Sequence, residues 1–254
     1  MEPVHHMFFH YKEYPLSRRV LFTCTLLVLG LGYIFAMLHV YNSHAGRDGR
    51  AGLSVEDLAI AYSGSKEATE LESALMGPMS GMLPNNERGS VIGWVRRGTD
   101  EQEYETTIAP ILERRCGACH DGNNPHIPDL SDYENVVESA QLDTGMDIFT
   151  LVRVSHIHLF GLTFIFFILG LIFSHAFVRP VWFKAMVIAA PFLAIILDIS
   201  SWYLTKIHPA FAWLVLISGA LMGTSFAIEW IVSMYQMWLS KYMPSAHPRE
   251  TPTI

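Results

Sequence analysis

Four long apolar runs punctuate the chain: Val20 to Val40, Leu159 to Phe173, roughly Ala185 to Leu204, and Ala210 to about Trp238. A helix needs about 20 mostly apolar residues, at about 1.5 Å each, to cross some 30 Å of hydrocarbon. Each run meets or nearly meets that length once its weakly polar flanks are included. The pattern predicts an all-α protein with a first transmembrane helix at 20–41 and three more within 151–240. Segments 1–19 and 241–254 flank them, and a region of different composition, 42–150, lies between the first and second spans.

That intervening region reads as a small helical domain. Ser54 with Asp57 three residues on forms a capping-box-like helix start, and Glu67 to Leu75 reads as a second helix. Gly77-Pro78, Pro84-Asn85-Asn86 and Gly98-Thr99-Asp100 are turn signals. Thr106 to Arg115 is amphipathic and reads as a helix leading into a cysteine motif. Asp121 to Pro125 follows as a loop and Ser131 to Ser139 as a short helix. No convincing strand and no internal repeat is visible.

Composition agrees with the membrane reading: 51% of residues are hydrophobic and only 16% charged, too apolar for a soluble domain unless the apolar residues are clustered. The net charge of −7 belongs mainly outside the runs and carries no nucleic-acid signature. Basic residues orient the chain, because basic flanks are retained in the cytoplasm. Lys12, Arg18 and Arg19 precede the first run, Arg179 and Lys184 separate the second and third, and Lys241 and Arg249 follow the fourth. With four spans all three segments fall on one side, which places 42–150 in the periplasm of a bacterial inner membrane. Ser43-His44-Ala45 loosely resembles a processing site. The first run exceeds the 7–15 residues or so of a signal h-region and reads as a retained anchor. Cys24, near the start of that run, reads as a small buried apolar residue.

Cys116-Gly117-Ala118-Cys119-His120 matches the C-x-x-C-H signature of covalent haem attachment. Two thiols add to the two porphyrin vinyl groups, and the next imidazole lies beneath the ring, which makes His120 the axial ligand. Three other chemistries share parts of this pattern. A redox C-x-x-C normally opens a helix after a strand; a disulfide across so tight a loop leaves His120 unexplained; a zinc site wants more partners.

From about Ile108 to Tyr133 the chain resembles the haem-binding core of bacterial c-type cytochromes, with a helix entering the motif and a proline-containing loop after it. The resemblance, to a membrane-anchored monohaem cytochrome, implies thioethers at Cys116 and Cys119, His120 on iron, Pro125 or Pro128 supporting that histidine, and one-electron transfer. The chain departs from the family at the sixth ligand, usually a methionine well downstream. Met146 comes early and nearly abuts the second span. The run Met76, Met79 and Met82, set among glycines and a proline, offers Met79 instead, and His126 is a third candidate. An open site would mean ligand binding rather than simple transfer.

Histidines cluster at the membrane ends. His39, His156, His158 and His208 fall on the side of the haem motif, with Asp198 about two turns below that surface. An ionisable residue at such depth is a functional candidate by default. The group suggests either a b-type haem held by two histidines or a quinol site where histidine and carboxylate take protons. Interfacial histidines satisfied by water, headgroups or carbonyls are the plain alternative. His156 and His158, about 200° apart around a helix, do not easily serve one iron. Glu229 falls near the depth of His175 and is expected to pair with His175 or Arg179 or to reach the interface. His5, His6 and His10 read as solvated, and Trp182, Trp202, Trp213 and Trp238 as interfacial anchors.

The expected function is single-electron transfer through haem c in a respiratory or related chain, as a carrier or oxidoreductase subunit. Its partners would be the lipid bilayer and redox subunits or soluble periplasmic carriers. A quinol-oxidising module using Asp198 and a haem-based gas or redox sensor are the rival readings.

Overall fold

A computed structural model describes residues 9–65, 67–124 and 127–240. Pro125, His126, His5, His6, Lys241 and Arg249 lie outside the described residues. The described chain is helical, with one isolated antiparallel bridge, Thr69 to Leu142. In order come α1 (Leu16–His44), α2 (Val55–Ser63), α3 (Glu70–Met76), α4 (Asn85–Arg96), α5 (Glu101–Glu103), α6 (Ala109–Arg115), α7 (Tyr133–Ser139), α8 (Ile148–Phe173), α9 (Val181–Ile207) and α10 (Ala212–Met234). A 3-10 turn at Tyr11–Glu13 precedes α1, and π turns at Tyr104–Ile108 and Tyr235–Leu239 join α5 to α6 and end α10.

The chain divides into two compact units. The first, the bundle unit, has its described residues in 9–36, 153–200 and 214–240. The second, the outer unit, takes 37–152 and 201–213.

Four helices are long and apolar enough to cross a membrane: Leu16–His44, Ile148–Phe173, Val181–Ile207 and Pro209–Leu239. The chain is therefore a multi-pass membrane protein. A span closes its backbone hydrogen bonds within itself, which is what a medium without water demands. Every span extends beyond its apolar run. The largest difference is in α8, which begins at Ile148 because Asp147 accepts from Thr150 N at 2.9 Å and so caps the helix. In the bundle unit Phe166, Leu169, Ile172, Phe173 and Ile195 are buried, while Val28, Phe35, Phe160, Leu193, Ile196 and Ile217 are exposed apolar surface for lipid. Gly30 lets α1 approach α10: a Cβ there would lie 3.0 Å from Trp230 Nε1, which donates to Leu26 O at 2.7 Å.

The outer unit is built on caps and one core. Ser54 and Asp57 form the expected capping box, and Thr69 with Glu72 forms another at α3. The core joins Leu71, Leu75, Leu83, Val91, Trp94, Tyr104, Ile108, Ile111, Leu112, Leu130 and Val136. Trp94 is fully buried and donates from Nε1 to Asp100 O at 2.9 Å. The four residues after α9 join this unit too, since α2 packs on the Pro209–Phe211 turn.

Candidate functional site

The cysteine motif grows out of α6. Arg114 and Arg115 end that helix, where basic side chains suit its negative pole, and both bond Glu87 at the start of α4 (3.0 and 2.8 Å). The Arg115 guanidinium, with Arg114, holds Glu87 below the usual carboxylate range. The backbone keeps coiling beyond α6. Cys116 N and Gly117 N both donate to Leu112 O, and Cys119 N and His120 N to Cys116 O. One further turn thus presents two thiols three residues apart, a spacing that places side chains on one helix face. Gly117 is required: a Cβ would lie 2.7 Å from Glu113 O.

Both thiols are free. Cys116 is half-buried against the core and Cys119 is exposed; burial, and Cys119 beside it, push the Cys116 thiol upward. The motif ends a helix, and no strand precedes it among the described residues, so it lacks the setting of a thioredoxin-type pair.

His120 is held by the loop that follows. Its Nδ1 lies 2.7 Å from Pro128 O, and Leu130 N donates to His120 O at 3.1 Å. A carbonyl only accepts, so this bond places the ring proton on Nδ1 and leaves the Nε2 lone pair available. A backbone carbonyl on the distal nitrogen is the usual support of a metal-binding histidine. The loop is itself braced. Asp121 accepts from Asn123 N and Nδ2, Asn135 Nδ2 donates to Asp129 Oδ2, and Gly122 has a φ of 77° with no room for a Cβ beside Asp129. Two thiols on one turn and one fixed imidazole are the protein groups that covalent haem needs, so these residues fit that group.

Of the sixth-ligand candidates, Met79 packs against the same core as Cys116. Met76 and Met82 are exposed. Met146 is engaged elsewhere through its backbone: its N donates to Ala61 O at 3.0 Å and its O accepts from Lys206 Nζ at 2.8 Å.

The histidines expected to cluster with Asp198 are each served locally. In the outer unit, the exposed His39 lies 3.5 Å from Ser43 Oγ, and His208 caps the Pro209–Phe211 turn by accepting from Ala210 N. In the bundle unit, His158 Nδ1 lies 2.9 Å from Val154 O, and His156 packs edge-on to Phe160. Both rings are exposed. Asp198, by contrast, is buried and accepts from Ser218 Oγ at 3.0 Å. No group of three or more His, Cys, Asp or Glu side chains could hold a metal ion among the described residues.

Four expectations fail. Cys24 is exposed rather than buried, and Trp202 is buried and stacked on Tyr62 rather than standing as an interfacial anchor. His10 is not solvated: it is buried, caps the first 3-10 turn, and its Nε2 lies 3.2 Å from Gln236 Oε1. Glu229 pairs with neither His175 nor Arg179 and does not reach an interface; it is fully buried, and neither carboxyl oxygen has a hydrogen-bond partner. His175 instead bonds Tyr14 Oη and Phe9 O. Periodicity can place Glu229 on α10 but cannot identify its neighbours.

Fold and composition define a four-span helical membrane protein with an extramembrane helical segment. A family model described as a transmembrane helical domain, Aq_1264_TM, matches residues 138–244, the second to fourth spans with the residues leading into them. The cysteine motif lies outside that match. No curated protein and no solved structure matches the chain.

Proposed function

We propose that this protein is a membrane-anchored c-type cytochrome, its outer segment facing the periplasm and both termini the cytoplasm, passing single electrons to or from redox partners. The observation that carries the reading is the pairing of the C-x-x-C-H turn with the His120–Pro128 bond. The first supplies both attachment thiols, and the second commits Nδ1 and frees Nε2. Attached haem would supply a one-electron iron couple.

Cys116 and Cys119 would fix the group covalently. His120 would donate from Nε2, with Pro128 O raising its basicity and setting the ring's orientation. Met79, on the same core, is the thioether best placed to serve as sixth ligand, and that ligand raises the potential relative to an unligated site. Orientation rests on the basic flanks at Lys12, Arg18 and Arg19 and at Arg179 and Lys184.

The test is haem staining of membranes after denaturing electrophoresis. Wild type is expected to carry covalent haem. A Cys116→Ala/Cys119→Ala variant should lose the stain while remaining in the membrane fraction. Stain retained in that variant would overturn the reading. Met79→Leu should lower the midpoint potential and Met146→Leu leave it unchanged; the opposite pattern would move the ligand to Met146.

A further inference from the structure

Glu229 is the one buried carboxyl of the bundle unit, among the described residues, for which neither oxygen finds a donor. Its helix places it in a file of buried polar residues on α10: Ser218, Ser225, Glu229 and Ser233, continued by Gln236. The spacings of seven, four, four and three residues keep them near one face. Ser233 lies one turn from Glu229. Its Oγ is 2.9 Å from the hydroxyl of the fully buried Tyr11, which also donates to Ile172 O at 2.7 Å. Next to Tyr11 is His10, bonded to Gln236, whose amide bonds Phe177 N and O at 2.7 and 2.9 Å. Polar groups thus line the way from Gln236 toward Glu229, by the His10–Tyr11 ring contact and the Tyr11–Ser233 hydrogen bond, with the last step one helical turn from Ser233 to the unpartnered carboxyl. In the other direction the file thins. Ser225 and Ser218 are seven residues apart, about 10 Å of helix, and Ser218 is committed to Asp198.

Among the described residues no cation bonds Glu229. Arg19 lies 4.7 Å over the Trp238 ring and reaches Met237 O, and Lys184 donates to Ser174 O. Tyr33, on α1, stacks on Phe226 at 4.4 Å. A carboxyl buried without a cation or donor has one ready way to change state, which is to exchange a proton.

We propose that Glu229 is a proton-binding site within the membrane bundle, loaded by way of Tyr11 and Ser233 from the end that carries His10 and Gln236, and closed toward Asp198. One proton binds to a carboxylate oxygen and leaves by the same route; no bond between heavy atoms changes. The inference does not depend on haem attachment.

Infrared spectroscopy of the full-length protein in lipid vesicles tests it. A carboxylic-acid carbonyl band that shifts in D2O is expected in wild type and should be missing in Glu229→Gln. Glu229→Asp should move the band rather than remove it. In Tyr11→Phe/Ser233→Ala the band should persist while its deuterium exchange slows about tenfold or more. A hydrophobic carbodiimide, to which a protonated carboxyl adds by giving its proton to nitrogen and its oxygen to the central carbon, should label the wild-type peptide containing Glu229, a readout that needs no variant. Absence of both band and label in wild type would overturn the site. Unchanged exchange in the double variant would overturn the route.

Discussion

Asp57 and Glu229 are both fully buried acids, and the two units treat them in opposite ways. In the outer unit Asp57 accepts from Asp48 N and from Ser54 N, each at 2.8 Å, and faces its capping partner Ser54 Oγ across the box. In the bundle unit Glu229 accepts from nothing. A buried acid held by backbone donors is a structural element, since it satisfies helix-end N–H groups that would otherwise be orphaned. One left without donors costs stability and calls for a role in exchange. The outer unit uses its polar groups to hold a shape around the cysteine motif. The bundle closes its backbone hydrogen bonds within its helices and packs through apolar side chains, and it leaves the Glu229 carboxyl without a donor.

The contrast can be broken from the outer side. Trp94→Ala empties the centre of that core and should cost about 3–5 kcal/mol, read as an earlier unfolding transition of the outer unit in chemical denaturation. Helix content of the spans should be unchanged; joint collapse of both would show that the units are not energetically separable. Lys206→Met is a smaller change. Lys206 Nζ donates to Tyr62 O, Thr144 O and Met146 O at 3.1, 3.0 and 2.8 Å, and hydrogen bonds to a charged group are worth about 1.5–3 kcal/mol. The variant should speed amide exchange around 144–146 in the outer unit, with no effect on amides of α4.

The smallest effect is one of pH. Burial pushes Glu72 upward, but donation from Thr69 and the Arg96 guanidinium outweigh it and hold the acid below the usual carboxylate range. A depressed folded value gives stability that is present above the unfolded carboxylate range and is lost as pH falls through the folded value. Arg96 is 72% exposed, so the pair should be worth about 1 kcal/mol or less. Acid titration of outer-unit stability should therefore flatten slightly in Glu72→Gln, and a loss that grows toward alkaline pH would contradict the assignment.

The spans are legible in the sequence because an apolar run of about twenty residues matches the thickness of a bilayer and exceeds what a small soluble core can bury. The Ser54–Asp57 box is legible because it is local. The start of α8 is not. Asp147, Thr150, Arg153, His156 and His158 dilute hydropathy over its first turns, so the span looks shorter and the outer segment longer. Helix α4 hides between turn signals because Gly89 and Gly93 interrupt its pattern and Asn85 and Asn86 read as a turn, although Pro84 stands at its N-cap. The cysteine motif is legible from five residues. The cytochrome resemblance offers Pro125 or Pro128 as support for His120, but that it is the Pro128 carbonyl depends on the path of a loop, and the burial of His10 beside Gln236 joins residues 226 positions apart. Such pairings have no periodic signature.

The central claim is covalent haem on the outer unit, and a pyridine haemochrome spectrum of the purified full-length protein, quantified per chain, tests it most directly. One c-type haem per chain is the predicted result, and it would leave the exposed membrane histidines without iron. A spectrum with no covalent haem would contradict the account.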